Sequence, residues 1–205
     1  SIFDPETKRS DISGDIGERS LTFYTDFSNK SKKVYTWDLG QDYSIDAFAE
    51  GDTAMMINYS YHIPTIEAKN PRLRFGIAPL PQIADSTPLT FANYWPFAVS
   101  ASSKSPQAAW EFMRFMTGAQ SSQLINTEQQ APPARRDTVP LVQSDTQLGV
   151  FADQSLLAAT WPRIDIVATD AIFNSMIDEI VTGATNIQDA LTKAEDQLEA
   201  LAPRQ

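Results

Sequence analysis

Apolar residues recur at helical spacing along much of this chain, and short apolar runs lie between the helical segments. The 3.6-residue spacing predicts helices over residues 21–27, 45–49, 63–68, 106–117, 121–126, 139–141, 148–158, 170–181 and 187–201. Apolar runs bounded by turn residues predict strands over residues 53–57 and 74–80, and extended chain over residues 89–100 and 164–167. Residues 1–19, which include Pro5, are predicted to be an irregular lead-in. Helices that alternate with apolar runs are typical of an α/β fold.

The predicted helices carry residues that usually begin or end a helix. We expect these residues to cap or close helices: Ser20, Ser44, Gly51, Ser105 and Asn186. Pro106 follows Ser105 and suits the first helical position, where its missing N–H costs nothing. Asp189 lies three residues after Asn186, in a variant of the capping box.

The segment over residues 48–61 contains a helix end, a turn, an apolar run and a second turn. The run over residues 53–57 is predicted to be a buried strand, and α/β sheets bind ligands at the carboxyl ends of their strands. Tyr59 and Tyr61 follow that end, where their rings and hydroxyls could contact a polyol. Without further context, half-buried loop aromatics account for both residues equally well.

A second aromatic segment lies in the extended stretch, where Asn93, Tyr94 and Trp95 precede a proline. An exposed Tyr-Trp pair would form a stacking platform for a sugar ring. The competing interpretation is that Trp95 fills the core. The aromatic and methionine residues of helix 106–117 are predicted to be core residues.

Composition and charge exclude several kinds of function. The net charge is -10 and the 16 basic residues are scattered, which argues against nucleic acid as a partner. The chain has no cysteine and one histidine, His62, so neither zinc binding nor a cofactor is predicted. His62 is interpreted as a hydrogen-bonding loop residue. Nucleotide-binding glycine motifs and a nucleophile elbow are absent, and no apolar run reaches transmembrane length.

Several phrases of the sequence resemble the family 1 extracellular solute-binding proteins, the maltose-binding-protein-like sugar receptors of ATP-binding-cassette (ABC) importers. They follow the family's order: Phe-x-x-Gly-x-x-Ala-Met-x-Ile-Asn (48–58), Gly-x-Ala-Pro-Leu-Pro (76–81), Ser-Lys-x-Pro-x-Ala-Ala-x-x-Phe-x-x-Phe (103–115), Pro-x-Arg-x-Asp (133–137) and Thr-Gly-x-x-x-x-x-x-Ala-Leu (182–191). The resemblance implies a type II periplasmic-binding-protein-like α/β fold.

The resemblance also implies a domain organisation. The chain looks like the C-terminal portion of a receptor whose N-terminal lobe is missing. Residues 1–96 and 131–205 would belong to the C-terminal lobe. Residues 97–130 would be a helical segment that crosses over and packs with the N-terminal lobe.

By the same resemblance, the receptor binds a sugar or oligosaccharide in an interlobe cleft, delivers it to an ABC permease and catalyses no reaction. It would be periplasmic or extracellular, and a missing N-terminus could carry a lipid anchor. The family's stacking aromatic is carried over to Tyr61. The residues expected to bind ligand are Tyr59, Tyr61, His62, Asn93, Tyr94, Trp95, Trp161 and Arg163.

Two features leave the site and the function open. The family shows an Arg-Pro phrase where this chain has Pro162 followed by Arg163, which leaves the role of Arg163 unsettled. The alternative functions are a free-standing carbohydrate-binding module and a fragment of a glycoside hydrolase. A glycoside hydrolase needs two facing carboxylates, and none sits in a recognisable motif.

Overall fold

A computed structural model describes residues 2–4, 6–7, 9–161 and 163–202. Pro5 of the predicted irregular lead-in and Pro162 of the Pro-Arg phrase lie outside the described residues. The chain divides into two compact units, Ser1–Gln41 with Trp161–Gln205 (unit 1) and Asp42–Thr160 (unit 2). None of the described helices has the length and apolar character needed to cross a membrane.

Unit 1 contains a short hairpin and three helices. Its elements are β1 (Phe3–Asp4), antiparallel to β2 (Arg9–Ser10), then α1 (Asp15–Asp26), α7 (Ile166–Val181) and α8 (Ile187–Ala200). Helix α8 packs against both α1 and α7. Two glutamates of α8 accept backbone N–H bonds near the hairpin, Glu199 from Ser10 at 3.1 Å and Glu195 from Ser13 at 2.9 Å. These bonds join the first and last parts of the described chain.

The core of unit 1 follows the apolar period of its last helix. Its buried residues are Ile12, Leu21, Met176, Ala190, Leu191, Ala194 and Leu198. The last four lie on one face of α8, as the 3.6-residue spacing predicts. The predicted cap is also confirmed, since Asn186 Oδ1 accepts the Asp189 N–H at 2.9 Å. Local sequence therefore specifies this helix and its buried face.

Other helix starts differ from the prediction. Helix α7 begins at Ile166 because Asp165 caps it, accepting the Ala168 N–H at 2.9 Å, so residues 166 and 167 are helical instead of extended. Helix α1 begins at Asp15, and Ser20 lies inside it, donating to the carbonyl of Ile16. Carboxylates in the first turn stabilise this earlier start. In unit 2, Ser44 is the first helical residue and not the cap.

The described residues of unit 2 form five α-helices, two 3₁₀ turns and two short strands. In chain order its elements are α2 (Ser44–Glu50), a 3₁₀ turn (Ser60–His62), α3 (Ile63–Lys69), β3 (Thr90–Phe91), α4 (Pro106–Met116), α5 (Ala119–Gln129), a 3₁₀ turn (Val139–Leu141), α6 (Leu148–Ser155) and β4 (Ala158–Ala159). Helix α2 packs on α3 through buried Ile45, Ala49, Ile63 and Ile66. Gly51 closes α2 with φ of 89°, which confirms its predicted left-handed conformation.

The predicted strands of unit 2 are wrong for this structure. In the part of the chain that the structure describes, residues 53–57 and 74–80 form no strand, and the side chains of Met55 and Ile57 are 84% and 82% exposed. A strand needs a hydrogen-bonded neighbour, and no described segment pairs with these residues. The extended stretch 89–100 contributes only β3, which pairs in parallel with β4.

Helix α4 also departs from expectation. It begins at Pro106 with Ser105 in the N-cap position, as predicted, but the helix buries no residue. Trp110, Phe112 and Phe115 are exposed, whereas the sequence predicted a core face. Periodicity identifies an apolar face, but a face is buried only where a partner surface covers it.

A loop of unit 1 is held together by one carboxylate. Asp38 Oδ2 accepts from Lys30 Nζ at 2.9 Å and from the Tyr35 hydroxyl at 2.7 Å, and its Oδ1 accepts the Gly40 N–H at 2.9 Å. The bond from Lys30, followed by those from Tyr35 and Gly40, lowers the pKa of Asp38 from 3.8 to about 2. All three bonds favour the charged form.

The lowered pKa predicts an acid-dependent contribution of Asp38 to stability. Because the folded pKa lies below the unfolded one, the contribution is complete above about pH 4 and is lost as pH falls toward about 2. Asp38→Asn should therefore lower the melting temperature most above pH 4. Below pH 4, the difference in melting temperature between the variant and the wild type should shrink. Melting curves from pH 2 to 7 measure this, with the exposed Asp42→Asn as control. A gap that is constant over this range would contradict the prediction.

Candidate functional site

The most organised group of predicted site residues is an aromatic cluster at the start of α3 in unit 2. The ring of Tyr59 stacks on that of Tyr61, with centroids 5.3 Å apart and planes 13° from parallel. The ring of His62 follows at 4.4 Å from Tyr61, tilted by 47°. Tyr61 is about half exposed, while Ser60 between the two tyrosines is buried. The structure thus brings Tyr59, Tyr61 and His62 into one continuous aromatic group.

Local bonds and helix packing hold this cluster in place. Asn58 Oδ1 accepts the Tyr59 N–H at 2.9 Å, and the His62 N–H donates to the Tyr59 carbonyl at 3.2 Å. The 3₁₀ turn leads directly into α3, where buried Ile63 and Ile66 pack toward α2. The aromatic cluster is therefore mounted on a packed helix pair and still presents Tyr61 to solvent.

The second predicted stacking platform, residues 93–95, lies after β3 in a segment without regular secondary structure. Asn93, Tyr94 and Trp95 are all exposed, and the Trp95 side chain is 91% exposed. The interpretation that Trp95 fills a core is therefore wrong for this chain. Trp95 and Tyr61 form no ring pair with each other among the described residues. The β3–β4 pairing is the anchor of this segment, reinforced by a 2.8 Å bond from Thr90 Oγ1 to the Gln154 carbonyl.

The remaining predicted site residues belong to unit 1. The ring of Trp161 meets the ring of Phe173 in α7 edge to face, with centroids 6.0 Å apart. Arg163 Nη1 lies 3.3 Å from Asp170 Oδ1, and both Trp161 and Arg163 are half-buried. The structure thus gives both residues a packing or ion-pair role within unit 1. Their role in ligand binding stays a prediction.

The chemistry of the aromatic cluster suits an uncharged, hydroxyl-rich ligand. Ring faces pack against the C–H faces of a sugar, while phenol and imidazole groups exchange hydrogen bonds with its hydroxyls. Among the residues that the structure describes, no group of three or more histidine, cysteine or acidic side chains could hold a metal ion.

Unit 1 has a surface feature that the sequence did not predict. Helix α1 has a shallow depression on its surface, lined by Asp15, Glu18, Arg19, Thr22, Phe23 and Asp26. The face of a single helix does not enclose a small molecule, so this depression is not a sugar site. The spacing of Ile16 and Phe23, on the side opposite Leu21, is the sequence signal that could have pointed to this face.

Comparison with known proteins identifies the family to which this chain belongs. A family model described as bacterial extracellular solute-binding protein matches residues 4–152, so the chain belongs to this family. The comparison with curated proteins finds no match. The predicted family relationship is confirmed.

Two solved structures share the fold. A solute-binding protein of an ABC transporter from Thermotoga lettingae TMO, bound with alpha-D-tagatose, has a TM-score of 0.74 at 19% identity, and the match covers 99% of this chain and 53% of that chain. The cyclic alpha-maltosyl-1,6-maltose binding protein from Arthrobacter globiformis has a TM-score of 0.71 at 17% identity, covering 98% and 52%. The predicted type II periplasmic-binding-protein-like α/β fold is confirmed, and the chain spans about half the length of both proteins.

Proposed function

We propose that this chain is part of the substrate-binding component of an ABC importer, which binds a sugar or oligosaccharide and delivers it to the permease. The observation that carries the proposal is the aromatic cluster Tyr59–Tyr61–His62, which exposes Tyr61, in a chain of the solute-binding family. The two similar structures belong to proteins that bind sugars: one is bound with alpha-D-tagatose, and the other is a cyclic alpha-maltosyl-1,6-maltose binding protein. The protein binds its ligand and catalyses no reaction on it.

Within this proposal the exposed rings act as stacking surfaces. Tyr61 packs against the sugar, and Tyr59 supports it from behind through their near-parallel stacking. Trp95, with the largest exposed ring area of the second platform, provides another stacking face. Donors and acceptors for sugar hydroxyls come from His62, Asn93 and Tyr94. We also propose that Trp161 and Arg163 contact the ligand in the intact receptor.

The proposal includes an assignment to lobes. The ligand lies in a cleft between two lobes of the intact receptor, and residues 1–96 and 131–205 belong to the C-terminal lobe. Residues 97–130 pack with the N-terminal lobe, which is the further partner of this chain. The observation that supports this assignment is that α4, inside that segment, buries none of its residues. The receptor works outside the cytoplasmic membrane, in the periplasm or at the cell surface with a lipid anchor.

The test is calorimetric titration of the full-length receptor with a sugar panel that includes tagatose and maltose-type oligosaccharides. We expect at least one sugar to bind, and Tyr61→Ala and Trp95→Ala each to weaken its binding by about 1–3 kcal/mol, because each removes an aromatic face. Tyr24→Ala, which removes a half-exposed ring of α1, serves as the control and should bind as the wild type does. Unchanged affinity in both site variants would remove these residues from the site.

The same samples test the alternatives. The receptor proposal expects every oligosaccharide to stay intact during long incubation. Release of reducing sugar that disappears on changing one aspartate or glutamate would establish a glycoside hydrolase instead. Sugar binding by the isolated 205-residue chain, equal to that of the full-length protein, would favour a free-standing carbohydrate-binding module.

A further inference from the structure

The stacked rings of Tyr59 and Tyr61 belong to residues two apart in the chain, and this spacing restricts the backbone between them. In an α-helix, side chains two residues apart point about 200° apart, so their rings lie on opposite sides and cannot stack. In extended chain they lie on the same side. Tyr59 has an extended backbone, with φ of -84° and ψ of 155°, and the 3₁₀ turn begins at Ser60. The stack therefore depends on where the helical backbone begins.

Two neighbouring residues keep the helical backbone from beginning before Ser60. Asn58 Oδ1 accepts the Tyr59 N–H at 2.9 Å, so a side chain takes the bond that a helix would give to a carbonyl one turn earlier. Pro64 is the second residue of α3 and has no N–H. A helix that began before Tyr59 would place Pro64 in its interior, where the proline ring clashes with the carbonyl of Ser60. Pro64 thus disfavours a longer helix, and Asn58 holds Tyr59 in the extended conformation.

Both peptide groups of Tyr59 are hydrogen-bonded as a result. Its N–H donates to Asn58, and its carbonyl accepts the His62 N–H at 3.2 Å. Ser60, the next residue, is only 5% exposed. With the backbone fixed on both sides, the ring of Tyr59 is held where it stacks on Tyr61. A binding surface that is ordered in advance loses less conformational entropy when its ligand arrives, so it binds more tightly.

We propose that Asn58 is a positioning residue of the binding site, which orders the Tyr59–Tyr61 stack for the sugar without touching the sugar itself. The inference rests on the proposed function, because it takes the sugar contact of Tyr61 from there. It adds a residue that controls the affinity of the site from behind the aromatic cluster.

The first test needs no sugar. NMR measures the ring-proton signals of Tyr61 in the full-length receptor, with ¹³C-labelled tyrosine incorporated at this position alone. Stacking moves these signals upfield, and Tyr59→Leu shows how far. Asn58→Ala should move them toward their positions in Tyr59→Leu, whereas Asn58→Asp, which keeps an acceptor for the N–H, should leave them near the wild type. Asn29→Ala is the matched control, since Asn29 Oδ1 accepts the Ser31 N–H at 3.0 Å in unit 1.

The second test is calorimetric titration with a sugar that the wild type binds. Asn58→Ala should weaken its binding about 2- to 10-fold, the size expected for one hydrogen bond. Asn58→Asp and Asn29→Ala should bind as the wild type does. In a receptor that already carries Tyr61→Ala, adding Asn58→Ala should cause no further loss, because a positioning residue acts only through the ring that it positions.

The contrary outcomes can be told apart. Tyr61 signals that stay unchanged in Asn58→Ala overturn the inference and leave the proposed function intact. An equal loss of affinity with and without Tyr61→Ala also overturns it, since Asn58 then acts independently of the stack. A wild-type receptor that binds no sugar of the panel overturns the proposed function and the ligand role of the stack, and the NMR comparison still decides whether Asn58 orders the two rings.

Discussion

The isolated 205-residue chain is expected to associate in solution instead of remaining a monomer. Helix α4 buries no residue and exposes Trp110, Phe112 and Phe115. In the same segment, Phe97 and Leu124 are also exposed. Several large apolar side chains exposed in one segment favour association. Size-exclusion chromatography with light scattering should therefore show dimers or larger species at micromolar concentration.

Two comparisons make this expectation specific to residues 97–130. Phe112→Ser/Phe115→Ser should shift the chain toward monomer, whereas Val167→Ser in unit 1 should not. Coexpression with the N-terminal half of the receptor should yield a one-to-one complex that covers the segment. A sharp monomer peak with cooperative unfolding of the wild-type chain would show that the lobe-crossing assignment of residues 97–130 is wrong.

Leu198→Ala is expected to lower the free energy of unfolding of unit 1 by about 2–5 kcal/mol, because it deletes buried methyl groups and leaves a cavity. Leu198 is 2% exposed and belongs to the core that α8 forms with α1 and α7. A domain is stable by only about 5–15 kcal/mol, so this loss is a large fraction of the total.

Urea unfolding followed by the fluorescence of Trp37 and Trp161, the two tryptophans of unit 1, measures the loss. It is done in the full-length receptor, with the tryptophans outside unit 1 replaced by phenylalanine. Val167→Ala is the matched control, since its exposed side chain should change stability by no more than ~0.5 kcal/mol. Equal destabilisation by the two variants would contradict the assignment of Leu198 to the core of unit 1.

Features that depend on neighbouring residues in the sequence were predicted well. Asn186 caps α8, Gly51 closes α2, and Pro106 begins α4, each as the sequence indicates. A cap or a left-handed residue acts within one turn of helix, so the residues that decide it lie in one short window. The starts of α1 and α7 were missed because each helix begins before its predicted first turn: α1 follows Gly14, and α7 follows Asp165, whose side chain caps it.

Features that depend on distant partners were not predicted. Residues 53–57 have the composition of a buried strand, yet no described segment pairs with them. Helix α4 has an apolar face, yet none of its residues is buried. The spacing of apolar residues shows which side of a segment can be buried. Burial also requires a second surface, formed by residues that are distant in the sequence.

The sequence by itself determined the family, the helices and the identity of the aromatic residues at the candidate site, because each of these is recorded in short stretches of residues. Only the tertiary structure decided how those residues are arranged. It stacks Tyr59 on Tyr61, pairs Arg163 with Asp170 and leaves Trp95 in solvent. It also turns Ile16 and Phe23 away from the core of unit 1. These outcomes depend on which surfaces meet in the folded chain, and the spacing of residues along one segment does not contain that information.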